Sequence, residues 1–205
     1  MALQFNEEEN ALIVTALAEE NFDWSSQALK PIRKKIKEYL KDTWNEQCCY
    51  CRRGLEEVHN MDIDIEHILP SSKFRNLAFV ADNLNLSCTR CNFPPYKGSK
   101  TDFIVNETLV EADYKNPIHY RFIHPNFDNY EHHLSIVSFT YNKLKFTKYK
   151  QLTDKGIYTY EYFGLRKIER DLFDGLQGIE KTAGTSEGLI PPHKLQEIYA
   201  ILNNL

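Results

Sequence analysis

Cys48-Cys-Tyr-Cys51, Asp64-Ile-Glu-His67-Ile-Leu-Pro70 and Cys88-Thr-Arg-Cys91-Asn92 decide how this chain is read. Two Cys-x2-Cys pairs bracket a short acidic and histidine-bearing segment. Two intervening residues make a turn that points both sulfurs of a pair to one side, so two such pairs supply the four thiolates that Zn²⁺ takes in tetrahedral structural sites. Cys48, Cys51, Cys88 and Cys91 are the expected ligands of a structural zinc. Cys49 is left over, and the run Cys48-Cys49-Tyr50-Cys51 also permits Cys49 in place of Cys48. Four of five cysteines in metal-ligand spacing suit a reducing compartment better than a disulfide framework.

Between the pairs, Met61 to Leu69 sets Ile63 and Ile65 in alternation with polar residues. This predicts a short strand ending at the histidine, and Pro70 stops it. Asp82-Asn83-Leu84-Asn85-Leu86 predicts a short helix or turn before the second pair, with Asp82 or Asn83 as its cap. Upstream, Asn6 and Glu7 to Glu9 form an N-cap and acidic first turn for a helix to about Glu20. A second helix is predicted from near Ser26 to Gln47. Leu29, Ile32, Ile36, Tyr39, Leu40 and Trp44 recur there at three and four residues as an apolar stripe, with Pro31 in the first turn. Downstream, Leu134 to Tyr141 alternates as a strand, Asn142 marks a turn, and 164–178 and 191–203 read as helices. No repeat or low-complexity segment is present.

A chain of 205 residues with 42% hydrophobic content can bury a core as one embellished domain or two small ones. Its organisation is read as an N-terminal helical arm (1–47), a zinc-supported module (48–105) and a C-terminal α+β extension (106–205). No stretch has the roughly 20 apolar residues that span a bilayer. The apolar run from Ala11 to Ala18 follows acids rather than a basic leader, so a cytoplasmic protein without membrane contact is expected. The formal charge of −4 is unevenly spread. Residues 1–29 carry six acids and no Lys or Arg, whereas 30–53 carry eight basic residues against three acids. That stripe is either a solvated helix face or a surface for phosphates.

Taken in order, Cys48-x2-Cys51, Ile65-Glu66-His67-Ile68-Leu69-Pro70-Ser71-Ser72-Lys73, Asn83-Leu84, Cys88-x2-Cys91-Asn92 and Lys97-Gly98-Ser99 resemble the zinc-supported HNH endonucleases. The resemblance covers about residues 45–105. It implies an α+β architecture: a ββα-metal HNH module on a treble-clef-like, four-cysteine zinc scaffold, with flanking helices. It implies His67 as the general base that activates water, Asn83 as the residue that steadies the loop and orients His67, and Glu66 with Asn92 as ligands of a catalytic Mg²⁺ or Mn²⁺. These roles make chemical sense. A neutral imidazole accepts a proton near pH 7, and hard oxygens suit Mg²⁺ or Mn²⁺ better than zinc. The implied substrate is DNA, with Lys73, Lys97, Lys100, Arg52 and Arg53 as candidate phosphate contacts.

Three positions depart from the commonest pattern of that family. Glu66 stands where Asp is usual, Asn92 where His is usual, and Pro94-Pro95 displaces the following lysine to Lys97. Further on, His119, His124, His132 and His133 cluster among aromatics, but their spacing fits no tetrahedral template. They read better as a packed aromatic segment than as a second metal site. His124-Pro125 with Tyr130-Glu131-x-His133 resembles segments of stand-alone bacterial HNH proteins, among them the nuclease subunits of Septu-type and retron-linked antiphage systems, which work beside an ATPase partner. Two other functions remain open: a restriction-type enzyme with its own DNA specificity, and a non-catalytic zinc-scaffold module that binds nucleic acid or protein.

Overall fold

The computed structural model describes residues 2–44, 47–55, 63–141 and 144–169, with the single positions 196 and 200. The chain is mixed helix and strand and divides into two compact units, Met1–Asp128 and Asn129–Leu205. The first unit contains the arm, the module and the start of the extension. Among the described residues no helix is long and apolar enough to cross a membrane.

In the first unit, α1 (Glu7–Ala18) opens on a reciprocal capping box. The Asn6 side chain accepts from the Glu9 amide and the Glu9 carboxylate accepts from the Asn6 amide, each at 2.8 Å. A single 3₁₀ turn, Gln27–Leu29, leads into α2 (Lys30–Trp44), so the helix predicted from Ser26 begins in a tighter geometry. Positions 45 and 46, at its predicted end, lie outside the described residues. Leu29, Ile32, Ile36 and Leu40 are all buried. Each contributes roughly 1.5–3 kcal/mol of apolar burial, and this stripe rather than helix propensity fixes the arm.

That stripe packs on β1 (Ile63–His67) and β2 (Leu84–Cys88), an antiparallel pair with Ile63 opposite Cys88 and His67 opposite Leu84. β1 agrees with the sequence reading, but Leu84–Cys88 is a strand where a turn or helix was expected. The preceding 3₁₀ turn, Ala81–Asn83, takes the turn's place. All five residues of β2 are buried, so its two faces do not alternate between core and solvent and no strand period shows. Asn85, polar and 2% exposed, is accommodated because its amide donates to Asn126 Oδ1 at 2.6 Å. The short helix α3 (Thr89–Asn92) follows β2 directly, and α4 (Glu107–Val110), capped by the Asn106 side chain, comes after the module. Phe103, Tyr120 and Phe122 stack beneath the module, with Tyr50 edge-on to Phe122.

In the second unit, β3 (Leu134–Tyr141) pairs antiparallel with β4 (Leu144–Gln151). β3 has the predicted bounds, and Asn142 lies outside the described residues. The helix α5 (Asp154–Tyr162) is capped by Thr153, and a Cβ on Gly156 would sit 1.9 Å from the His133 carbonyl oxygen. Only glycine permits that backbone contact. The helix predicted over 164–178 is described only to 169, with 165–169 helical, and nearly all of the one predicted over 191–203 lies outside the described residues.

Candidate metal centre and adjoining polar site

Cys48 and Cys51 come from a tight knuckle. Its fold is set by the Cys48 amide donating to the Arg53 carbonyl and the Arg52 amide to the Cys48 carbonyl, each at 2.9 Å, with Arg52 left-handed at φ 55°. Cys88 ends β2, and Cys91 lies one turn into α3. The four buried Sγ atoms all lie within 4.8 Å of one another, and Cys51 and Cys88 are 3.8 Å apart. A tetrahedral ion with sulfurs at about 2.3 Å gives edges of about 3.8 Å, so the cluster fits a metal ion such as zinc. Hydrogen bonding among the sulfurs, first with Cys48, pushes the Cys51 and Cys91 thiols up and holds Cys88 well down. Cys49 points elsewhere: its amide pairs with the Leu86 carbonyl at 2.9 Å, and burial pushes its thiol up.

The far end of the strand pair carries the histidine. His67 Nε2 lies 3.0 Å from the Ala78 carbonyl oxygen. A carbonyl only accepts, so Nε2 carries the proton and Nδ1 keeps its lone pair. Burial lowers the imidazole pKa to about 4, with the Ala78 carbonyl opposing the effect and the Lys97 charge adding to it. The ring is therefore neutral at pH 7.

Asn83 closes the loop that follows. Its Oδ1 accepts from the Leu69 amide at 2.8 Å, and its Nδ2 donates to the Leu69 and Leu77 carbonyls at 3.0 and 3.2 Å. Its backbone carbonyl accepts from the Ile68 amide at 3.0 Å. One buried residue thus fixes the chain immediately after His67 and, through Leu77, the piece of loop that supplies the Ala78 carbonyl.

Glu66 and Lys97 differ from expectation. Lys97, read as a phosphate contact, is turned inward and fully buried. Its Nζ is 3.1 Å from Glu66 Oε1, with side-chain exposures of 0% and 2%. The Tyr50 hydroxyl donates to the same oxygen at 2.8 Å, and Lys97 also donates to the His67 carbonyl at 3.0 Å. The cause is the return of the chain after α3. The Gly98 amide bonds the Asn92 carbonyl at 2.8 Å, with Gly98 left-handed at φ 48°, and this fold drives Lys97 under β1. Burial raises the Glu66 pKa, opposed chiefly by Lys97 and Tyr50.

Asp64 is the residue that the sequence reading missed. It shares a strand face with Glu66 through the two-residue period. Its Oδ2 is buried and finds no hydrogen-bond partner among the described residues. Burial raises its pKa, while the Asn92 side chain and the Lys37 ammonium favour the carboxylate. Asn92 therefore neighbours Asp64, and Lys97 holds Glu66. The i,i+2 spacing of the two acids was the available signal.

The remaining basic candidates scatter. Arg53 and Lys100 are exposed, and Lys100 donates to the Pro95 carbonyl. Lys73 reaches Thr101 Oγ1 at 2.9 Å and Glu107 at 3.5 Å. In the α2 stripe, Arg33 donates to the Trp24 and Ser26 carbonyls, and Lys35 pairs with Glu9 at 2.6 Å. The later histidines serve packing and turns. His119 meets Asp113 at 3.1 Å, buried His124 accepts from the Asn126 amide at 3.2 Å, and His133 bonds Thr153 at 2.8 Å. Among the described residues the four cysteines are the one group of His, Cys, Asp and Glu placed to hold a metal ion.

No family model matches the chain, and no solved structure matches it. A stretch of 77 residues is 38% identical to the Septu protein PtuB of Bacillus thuringiensis. That stretch is 36% of this chain and 29% of PtuB, so the likeness spans less than a third of the curated relative's length.

Proposed function

We propose that this chain is a metal-dependent HNH endonuclease that hydrolyses DNA phosphodiester bonds and acts in antiphage defence beside an ATPase partner. The carrying observation is His67, a neutral imidazole at a strand end, with Nε2 on the Ala78 carbonyl and Nδ1 free to accept a proton. The order of β1, β2 and α3 across a four-cysteine cluster agrees with the ββα-metal module that the sequence resembles. The partial likeness to a Septu protein supports the defence setting and, with it, a partner.

In this reading His67 Nδ1 takes the proton of the attacking water. Asn83 keeps the base in place by fixing Leu69 and Leu77. Lys97 and Asn83 hold the main chain on either side of the imidazole, through the His67 carbonyl and the Leu69 amide. The unpartnered Oδ2 of Asp64 beside Asn92 offers hard oxygens of the kind Mg²⁺ or Mn²⁺ takes, whereas Glu66 is held by Lys97 and Tyr50. Glu66 and Asn92 are the residues assigned to hold it. When bound, such an ion neutralises charge on the phosphate in the transition state.

Cleavage of supercoiled plasmid by the purified chain, with and without Mg²⁺ or Mn²⁺, tests the reading. Ion-dependent nicking that falls by about 10²–10⁴ in His67→Ala is the expected result, since a positioned base is worth that much. A second reading, a non-catalytic binding module, is favoured by one observation: Glu66 is sealed against Lys97 and Tyr50. It predicts DNA or protein binding that His67→Ala leaves intact and no cleavage by either protein. A restriction-type enzyme would instead discriminate among modified and unmodified DNAs.

A further inference from the structure

Nothing in the sequence connects the N-terminal arm to the histidine, yet the two meet. The Trp24 and His67 rings lie 4.4 Å apart between centroids, at 85°. Trp24 also packs on Phe79 at 5.2 Å, and Phe22 on Phe79 at 6.2 Å. Phe79 follows Ala78, whose carbonyl holds His67 Nε2. One short piece of loop thus supplies both the hydrogen bond to the imidazole and the platform for the indole beside it.

The segment bearing Trp24 is fastened from two directions. From α2, Arg33 Nη1 donates to the Trp24 carbonyl at 2.6 Å and the Ser26 carbonyl at 2.8 Å. From the loop after β1, Arg75 donates to the Glu19 and Glu20 carbonyls at 2.8 and 3.1 Å, and its guanidinium lies 5.5 Å over Phe22. The Glu19 carbonyl belongs to the C-cap of α1, one of the acceptors that a helix end leaves unsatisfied. Arg33 therefore ties the connection between α1 and α2 to α2, and Arg75 ties it to the module.

We infer that Trp24 is a positioning residue for His67, and that the arm completes the site by holding the imidazole in the one direction the Ala78 bond leaves free. A ring held at a single nitrogen can pivot about that hydrogen bond. An indole packed at right angles against the ring, 4.4 Å between centroids, blocks the pivot and keeps Nδ1 aimed, with edge-to-face packing adding to the restraint. This rests on the nuclease reading above for its kinetic consequence, though not for the contact itself.

The test uses the full chain with Trp24→Ala, Trp24→Phe and Arg75→Ala. Plasmid cleavage in Mn²⁺ across a range of substrate concentrations should show kcat reduced about tenfold to a hundredfold in Trp24→Ala, with KM changed less than about twofold. Trp24→Phe should recover most of the loss, because a second aromatic edge restores the restraint. Arg75→Ala, which loosens the fastening and leaves the indole in place, should lose activity in the same sense by a smaller factor. In parallel, diethylpyrocarbonate labelling of His67 read by mass spectrometry should be faster in Trp24→Ala than in the parent. That readout needs no activity, so a chain that cleaves nothing would sink the nuclease reading and still leave the Trp24 contact tested. Unchanged labelling in Trp24→Ala, or a kcat that stays level or rises, would overturn the inference; a rise would make the indole a cover over the base.

Discussion

The two ends of the β1–β2 pair are closed in opposite ways. Where Ile63 faces Cys88, four sulfurs converge within 4.8 Å. Where His67 faces Leu84, one carboxamide, Asn83, makes three side-chain hydrogen bonds to Leu69 and Leu77. A metal ion held there would make the first closure close to all-or-none, because metal binding and folding share one free energy in a small module. The second is built of neutral hydrogen bonds whose loss is graded. The cysteine end is thus built for a metal ion, while the geometry around the histidine depends on packing.

Breaking the cysteine end should have the largest effect. Cys88→Ser, or removal of metal by a strong chelator, should unfold the first unit as read by circular dichroism, and elemental analysis of the parent should find about one zinc per chain. A folded, zinc-replete Cys88→Ser would remove the contrast. Between the two ends, Lys97→Met should cost about 3–5 kcal/mol in urea unfolding, because it strands the Glu66 carboxylate without its ion-pair partner. The double variant Lys97→Met with Glu66→Gln should recover much of that loss. Asn83→Ala should cost about 2–4 kcal/mol, since it leaves the Leu69 amide and carbonyl and the Leu77 carbonyl without this partner. The module should stay folded around its zinc while cleavage drops.

A pH dependence sharpens the contrast at the histidine end. His67 titrates at about 4 when folded against an ordinary value of 6.5. Below pH 6.5 the unfolded chain takes up the proton first, so His67's contribution to stability is complete above pH 6.5 and is lost as pH falls toward 4. The difference in unfolding free energy between the parent and His67→Gln should shrink over that window and be flat above it. A difference that grows as pH falls would mean that the imidazole is held charged.

The cysteine end was legible because ligand spacing is local: two residues between sulfurs suffice to read it. Asn6 as the cap of α1 and the Leu29–Leu40 stripe were legible for the same reason. β2 was not, because burial of Asn85 depends on contacts such as Asn126, forty-one residues away in sequence. The inward turn of Lys97 follows from the Gly98 return and from a carboxylate, Glu66, that lies far back along the chain. Trp24 against His67 rests on tertiary packing that carries no local signal. The four-cysteine cluster was readable from local spacing, and the long-range contacts around His67 and Glu66 were not.

The register that pairs Ile63 with Cys88 also has an index pin. A slip of β1 by one residue would leave the sulfurs where they are, because Cys88 lies on β2 and the Cys48–Cys51 knuckle is tied to β2 through the Cys49 amide and the Leu86 carbonyl. The same slip would exchange the faces of Glu66 and His67, putting the carboxylate outside and the imidazole in the core. The buried ion pair thus checks the threading of the hairpin: only the frame that sets Glu66 against Lys97 also sets the histidine on its own side of the sheet.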